Sequence, residues 1–209
     1  MGMGGYPDDA MLEYVLGLAR GRKVLHVGTA SMENPYAALD WVERIGASSL
    51  RFNPWPPRDL RAHVLAHDVI MVGGGSTANM LAVWRIHGFE RVLREAWQEG
   101  VLLTGWSAGM ICWFEAGVTD SFGPELAGMR DGLGFLTGSA CPHYDGEELR
   151  RPVYTQLVRD GFPPGIALDD RAAVHFVGTE LHEVVASAPG AGGYRVGPDG
   201  EEPLAVRLL

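Results

Sequence analysis

Cysteine is nearly absent: Cys112 and Cys141 are the only two in 209 residues. Two thiols build no disulfide framework, and without a C-x-x-C pair they offer no zinc ribbon or dithiol motif. This usage points to a reducing, cytoplasmic compartment. Basic charge is also scarce, with 17 Lys and Arg against 26 Asp and Glu and a net charge of -9. Counterion release needs clustered cations, so nucleic acid is excluded as a partner, and anionic membrane surfaces are disfavoured for the same reason. No apolar run approaches the ~20 residues of a membrane span. The opening MGMGGYPDDAMLEYV lacks the basic start and apolar stretch of a secretion signal, and it has no Ser or Thr where a myristoylation signal needs one. H-E-x-x-H is missing, and the histidines and acids are scattered, so no metal site is expected. The P-loop lysine and the G-x-G-x-x-G spacing are missing too, and no cofactor is expected.

What remains is an ordinary globular composition, 46% hydrophobic and 21% charged, at a length suited to one domain over residues 1–209. Short β-branched runs alternate with helical stretches, the pattern of a parallel sheet covered by helices. Strands are expected at Val24 to Val27, Leu50 to Phe52, Val69 to Val72 and Val101 to Thr104. Helices are expected around Met11 to Ala19, after Asn34-Pro35, over Asp59 to His67, through ANMLAVWRI and FERVLREAWQEG, and over MICWFEAG. Val118 to Leu133, rich in Gly, Asp and Pro, reads as a long loop. The last third offers a helix near Arg150 to Asp160, then strands near Ile166 to Leu168 and Ala172 to Val177, and closing hairpins beyond them.

Two glycine-rich segments end apolar strands. Gly105-Trp106-Ser107-Ala108-Gly109 fits the G-x-S-x-G nucleophile elbow, and its place between strand and helix carries more weight than its letters. A sharp strand-to-helix turn needs small residues around the serine and exposes its hydroxyl at the strand's carboxyl end. The alternative is an ordinary N-cap serine. Gly73-Gly74-Gly75-Ser76-Thr77 ends the neighbouring strand and can turn backbone N–H groups toward a ligand. Alone it is equally a structural turn. Beside an elbow it reads as half of an oxyanion hole, with the Ala108 N–H as the second donor. Trp106, next to the serine, is a pocket-wall candidate.

A serine needs a base. His63, His67, His87 and His182 read as surface residues, and His26 and His175 as satisfied core histidines. His143, in Cys141-Pro142-His143-Tyr144-Asp145, lies where a loop could return to the elbow and is the favoured base. For the orienting acid, Asp120 lies between serine and histidine in the chain, while Asp169 and Asp170 follow the histidine at a strand end. Geometry, not chain order, defines a triad, so these positions stay open.

Taken in order, VGGGST, GWSAGM, CPHYD and ALDD resemble the peptidase E and cyanophycinase family of serine peptidases, over roughly Val24 to Val177. The resemblance implies a flavodoxin-like α/β three-layer sandwich: a mostly parallel central sheet, helices on both faces and a C-terminal hairpin region. It implies that Ser107 attacks an amide carbonyl to give an acyl-enzyme, with His143 as base. Gly74 or Gly75, with Ala108, would supply the oxyanion donors. The family's glutamate falls on Asp170, about 1.5 Å shorter in reach, and Asp120 is the second choice. The glycine after that glutamate is replaced by Arg171. The expected function is hydrolysis of a small peptide, a dipeptide or isopeptide, by a monomer or homodimer. The alternatives are an esterase or other acyl hydrolase, or a binding or regulatory protein that kept the fold and lost efficient catalysis.

Overall fold

Helix starts are written plainly in the chain. Asp8, Asn34, Asp59 and Ser76 each stand at an N-cap and accept a hydrogen bond from a backbone amide of the following first turn, which satisfies one of the free N–H groups a helix begins with. The computed structural model describes all 209 residues. Its first half comprises β1 (Gly2–Met3), α1 (Asp9–Leu18), β2 (Val24–Val27), α2 (Pro35–Ile45), β3 (Ser48–Leu50), α3 (Leu60–Leu65), β4 (Val69–Val72), α4 (Thr77–Ile86), α5 (Phe89–Gln98) and β5 (Leu102–Trp106). The second half follows with α6 (Ala108–Ile111), β6 (Phe114–Thr119), β7 (Ala127–Met129), β8 (Leu136–Cys141), α7 (Arg150–Arg159), β9 (Gly165–Leu168), β10 (Ala172–Val177), β11 (Glu180–Ala186), β12 (Gly193–Gly197), β13 (Gly200–Pro203) and β14 (Val206–Leu208).

The strands form two sheets. The larger runs β14-β11-β10-β1-β5-β4-β2-β3, and the smaller runs β13-β12-β9-β8-β6-β7. In the larger sheet β1, β5, β4, β2 and β3 are parallel, while β10 is antiparallel to β1 and hairpins back through β11. The central parallel strands β2, β4 and β5 are buried on both faces, which explains their apolar runs. One face packs on α1 and α2 through Met11, Val15 and Trp41. The other packs on α4 and α5 through Met80, Trp84, Phe89 and Leu93. Each such fully buried side chain contributes roughly 1.5–3 kcal/mol. The smaller sheet has its own cluster under α7, around Tyr144, Tyr154 and Val158. No helix is long and apolar enough to cross a membrane.

The mostly parallel, helix-covered sheet has the flavodoxin-like character expected. The second sheet is the main departure. The helix expected over MICWFEAG stops after Ile111, and Phe114–Thr119 is a strand. The loop expected from Val118 to Leu133 contains the end of β6 and all of β7. A Cβ on Gly117 would stand 2.5 Å from an Ile111 methyl and 2.9 Å from the Ala140 carbonyl oxygen, so the glycine that looked like a loop residue is what lets β6 pack closely. Two histidines also differ. His67 is buried, its Nδ1 2.8 Å from the His63 carbonyl. His26 is buried as expected, but its Nδ1 has no partner.

Candidate active site

Three chain passages meet beyond the carboxyl ends of the central parallel strands of the larger sheet. Ser107 ends β5, where the chain leaves the larger sheet for the smaller. Asp170 lies between β9 and β10, where it returns. β1 sits between the two, pairing Met3 with Trp106 on one side and with Ala173 on the other. Because β10 is antiparallel to β1, its start lies beside the end of β5, two strand spacings or about 10 Å away. His143 follows β8, whose neighbour β9 is parallel with Cys141 opposite Ala167. That register puts residue 143 beside residues 169 and 170, just past both strand ends.

Ser107 holds φ 55° and ψ -117°, a conformation that costs a non-glycine residue of order 1–3 kcal/mol and is typical of functional turns. The flanking glycines allow it. A Cβ on Gly109 would stand 2.2 Å from the Val72 carbonyl oxygen, and one on Gly105 would stand 2.6 Å from the same atom. The bend therefore presses directly against β4. Gly74 is the glycine that faces the serine, since a Cβ there would lie 3.2 Å from Ser107 Cβ and 3.1 Å from Trp106 Nε1. Gly75, at φ 131°, backs onto the Ala30 carbonyl instead. Gly73 N–H donates to Val27 O and Ser76 N–H to Ala30 O, so the amides of Gly74 and Gly75 between them have no acceptor in the protein. Ala108 opens α6, where the first amides are free by helix geometry.

His143 also has a left-handed backbone, φ 53°. Its Nδ1 lies 2.7 Å from Asp170 Oδ1, which leaves Nε2 as the free ring nitrogen. Asp120 and Asp169 go elsewhere. Asp120 is exposed beyond β6, and the next residue, Ser121, accepts a hydrogen bond from Ala78 N–H at the start of α4. Asp169 is buried and accepts from Gly192 N–H and the Tyr194 hydroxyl, with burial pushing its carboxyl above the usual range. Ser107 Oγ is not hydrogen-bonded to the His143 ring here. Such bonds are commonly long in ligand-free sites and tighten around substrate.

Trp106 lies in an aromatic group that the sequence did not reveal. Its ring is 6.3 Å from His26, 5.3 Å from Trp41 and 5.2 Å, edge-on, from Tyr6. Beyond Tyr6 opens a cavity of about 440 Å³ lined also by Asp8, Asp40, Arg44 and Arg171. The one cluster with metal-ligand composition, His175, His182 and Glu183, lies on β10 and β11. Its carboxylate is already engaged by Arg207 and the Tyr14 hydroxyl.

An α/β fold with a strained serine at a strand-to-helix bend, a glycine turn packed against that bend and a histidine–carboxylate pair at the same ends of the strands defines a hydrolase of the serine type. The chain belongs to peptidase family S51, whose model matches residues 8–184, and it is accordingly a serine-type peptidase. It is 44% identical to an uncharacterised peptidase, YgaJ, of Bacillus subtilis (strain 168), over an alignment covering all of this chain and 97% of that protein. Two solved structures share the fold. One is a peptidase from an acI-B1 Actinobacterium (TM-score 0.66, 19% identity, 98% of this chain and 93% of that one). The other is a candidate peptidase E protein from Listeria monocytogenes EGD-e (TM-score 0.63, 16% identity, 90% and 97%).

Proposed function

We propose that this peptidase hydrolyses small peptides, dipeptides or isopeptides, through an acyl-enzyme on Ser107. The observation that carries this reading is the Ser107 bend, φ 55° at the carboxyl end of β5, with Gly74, whose amide has no acceptor in the protein, packed against it. His143 Nε2 takes the hydroxyl proton as Oγ attacks the scissile carbonyl. The carbonyl oxygen becomes an oxyanion facing the N–H groups of Gly74 and Ala108, an interaction worth about 3–4 kcal/mol per donor in comparable sites. His143 then protonates the leaving amine, and water attacks the acyl-enzyme with the same histidine as base. Asp170 fixes the tautomer that donates from Nδ1 and stabilises the imidazolium as it forms. Trp106, next to Ser107 and packed against Gly74, is placed to wall the substrate site. Cys112 and Cys141 are both free and buried, which fits a cytoplasmic enzyme; cell fractionation checks this placement.

The test is labelling with a fluorophosphonate probe together with turnover of a dipeptide panel. Wild type is expected to label and to cleave, and Ser107→Ala to do neither. Undiminished labelling of Ser107→Ala would place the nucleophile elsewhere.

A further inference from the structure

Asp170 is short for its task, and the turn after β8 grips it more than once. His143 takes its side chain through the 2.7 Å contact. Two residues on, Asp145 Oδ1 accepts the Asp170 backbone N–H at 2.7 Å. Tyr144 N–H donates to Leu168 O at 3.0 Å, tying the same turn to the end of β9. The fourth element is space: a Cβ on Gly146 would fall 2.3 Å from Asp170 Oδ2. Four consecutive residues, His143 to Gly146, thus fix the backbone of residue 170, receive its carboxylate and leave room for it. The backbone bond matters because a two-bond side chain has little means of correcting a misplaced Cα. A displacement of 1 Å at residue 170 would carry almost undiminished to its oxygen.

We propose that Asp145 is a positioning residue for catalysis: by accepting the Asp170 amide it holds the short carboxylate within reach of His143 Nδ1. The inference rests on the Ser107–His143–Asp170 reading above. Asp145 touches no reacting atom and acts through residue 170.

The experiment compares Asp145→Ala, Asp145→Asn and Ser107→Ala with wild type in rate of labelling by a fluorophosphonate probe, with proton NMR of the downfield imidazole N–H. Asp145→Ala is expected to lower the maximal labelling rate by about 10- to 100-fold while probe affinity stays within a few-fold, the size of effect that misplacing a catalytic group produces. The downfield His143 proton should broaden into solvent exchange. Asp145→Asn keeps an oxygen acceptor at the same place and should recover most of both readouts. Should Asp145→Ala fail to fold, the Asn variant still decides. A wild-type rate in Asp145→Ala, or an Asn variant folded but as slow as Ala is expected to be, overturns the proposal. Labelling that survives in Ser107→Ala instead removes the reading beneath it, whatever the Asp145 variants do.

Discussion

Asp170 lies in a half-open slot between two glycines. A Cβ on Gly146 would press on Oδ2, and one on Gly5 would lie 2.3 Å from Oδ1, so glycines flank the carboxylate on both sides. Neither glycine has a positive φ, so it is the nearby oxygens that exclude a side chain. Gly146→Ala is therefore expected to leave the fold intact, because the end of a side chain can move aside, and to cost about 10-fold or more in turnover as Asp170 Oδ1 leaves His143. Asp170→Glu should be harmful for the same reason, although the resemblance to peptidase E puts a glutamate at this position. The longer chain must buckle between Gly5 and Gly146 or push the imidazole off its line to Ser107. Dipeptide turnover of the two variants, with a thermal melt to confirm folding, checks both. Wild-type activity in Asp170→Glu would show that the two glycines do not confine the carboxylate.

Among the elements, those built from apolar β-branched runs were legible in the chain: β2, β4 and β5, and the capped helices between them. β1, β6 and β8 were not. Gly2–Met3, FEAGVT and LTGSAC are poor in β-branched residues and rich in small ones, because close neighbours leave no room for larger side chains. Strand propensity measures fit to a pleated, half-buried surface, and these strands fit by being small. The elbow and the glycine strand end were readable because their chemistry is local. The choice of Asp170 over Asp120 and Asp169 came from the family resemblance and not from the residues themselves, since it depends on β8 and β9 lying parallel in a sheet the sequence did not announce. The Asp145 contact was hidden for the same reason. At this scale Gly17 offers a clean test. It lies in α1 with nothing within 4 Å of a built Cβ, so it only weakens the helix. Gly17→Ala should stabilise the protein by about 0.5–1 kcal/mol with turnover unchanged, read by urea unfolding.

Across the whole molecule, stability should depend on acid through two groups far apart on one sheet. His26 is 2% exposed, stacked against both Trp41 and Trp106, and burial lowers its pKa to about 4. Between pH 6.5 and 4 the unfolded chain binds a proton there that the folded protein refuses, so stability falls as pH drops through that window, by roughly 3 kcal/mol in total. Glu183 behaves as a depressed carboxylate. The Arg207 hydrogen bond, then the Tyr14 hydroxyl, hold it at about 2. Its contribution is complete above the ordinary carboxylate range and is lost as pH falls from about 4.5 toward 2. β2 and β11 are five strands apart in the sheet, about 24 Å, so the two effects should add. Urea unfolding from pH 7.5 to 3 should show a first decline that His26→Phe flattens, the phenyl ring keeping the stack without the proton site. A second decline, below pH 4.5, should be flattened by Glu183→Gln. A His26→Phe profile parallel to wild type between pH 6.5 and 4 would mean that the buried imidazole takes up its proton without cost, and that the unpartnered Nδ1 has an acceptor or donor within reach in solution.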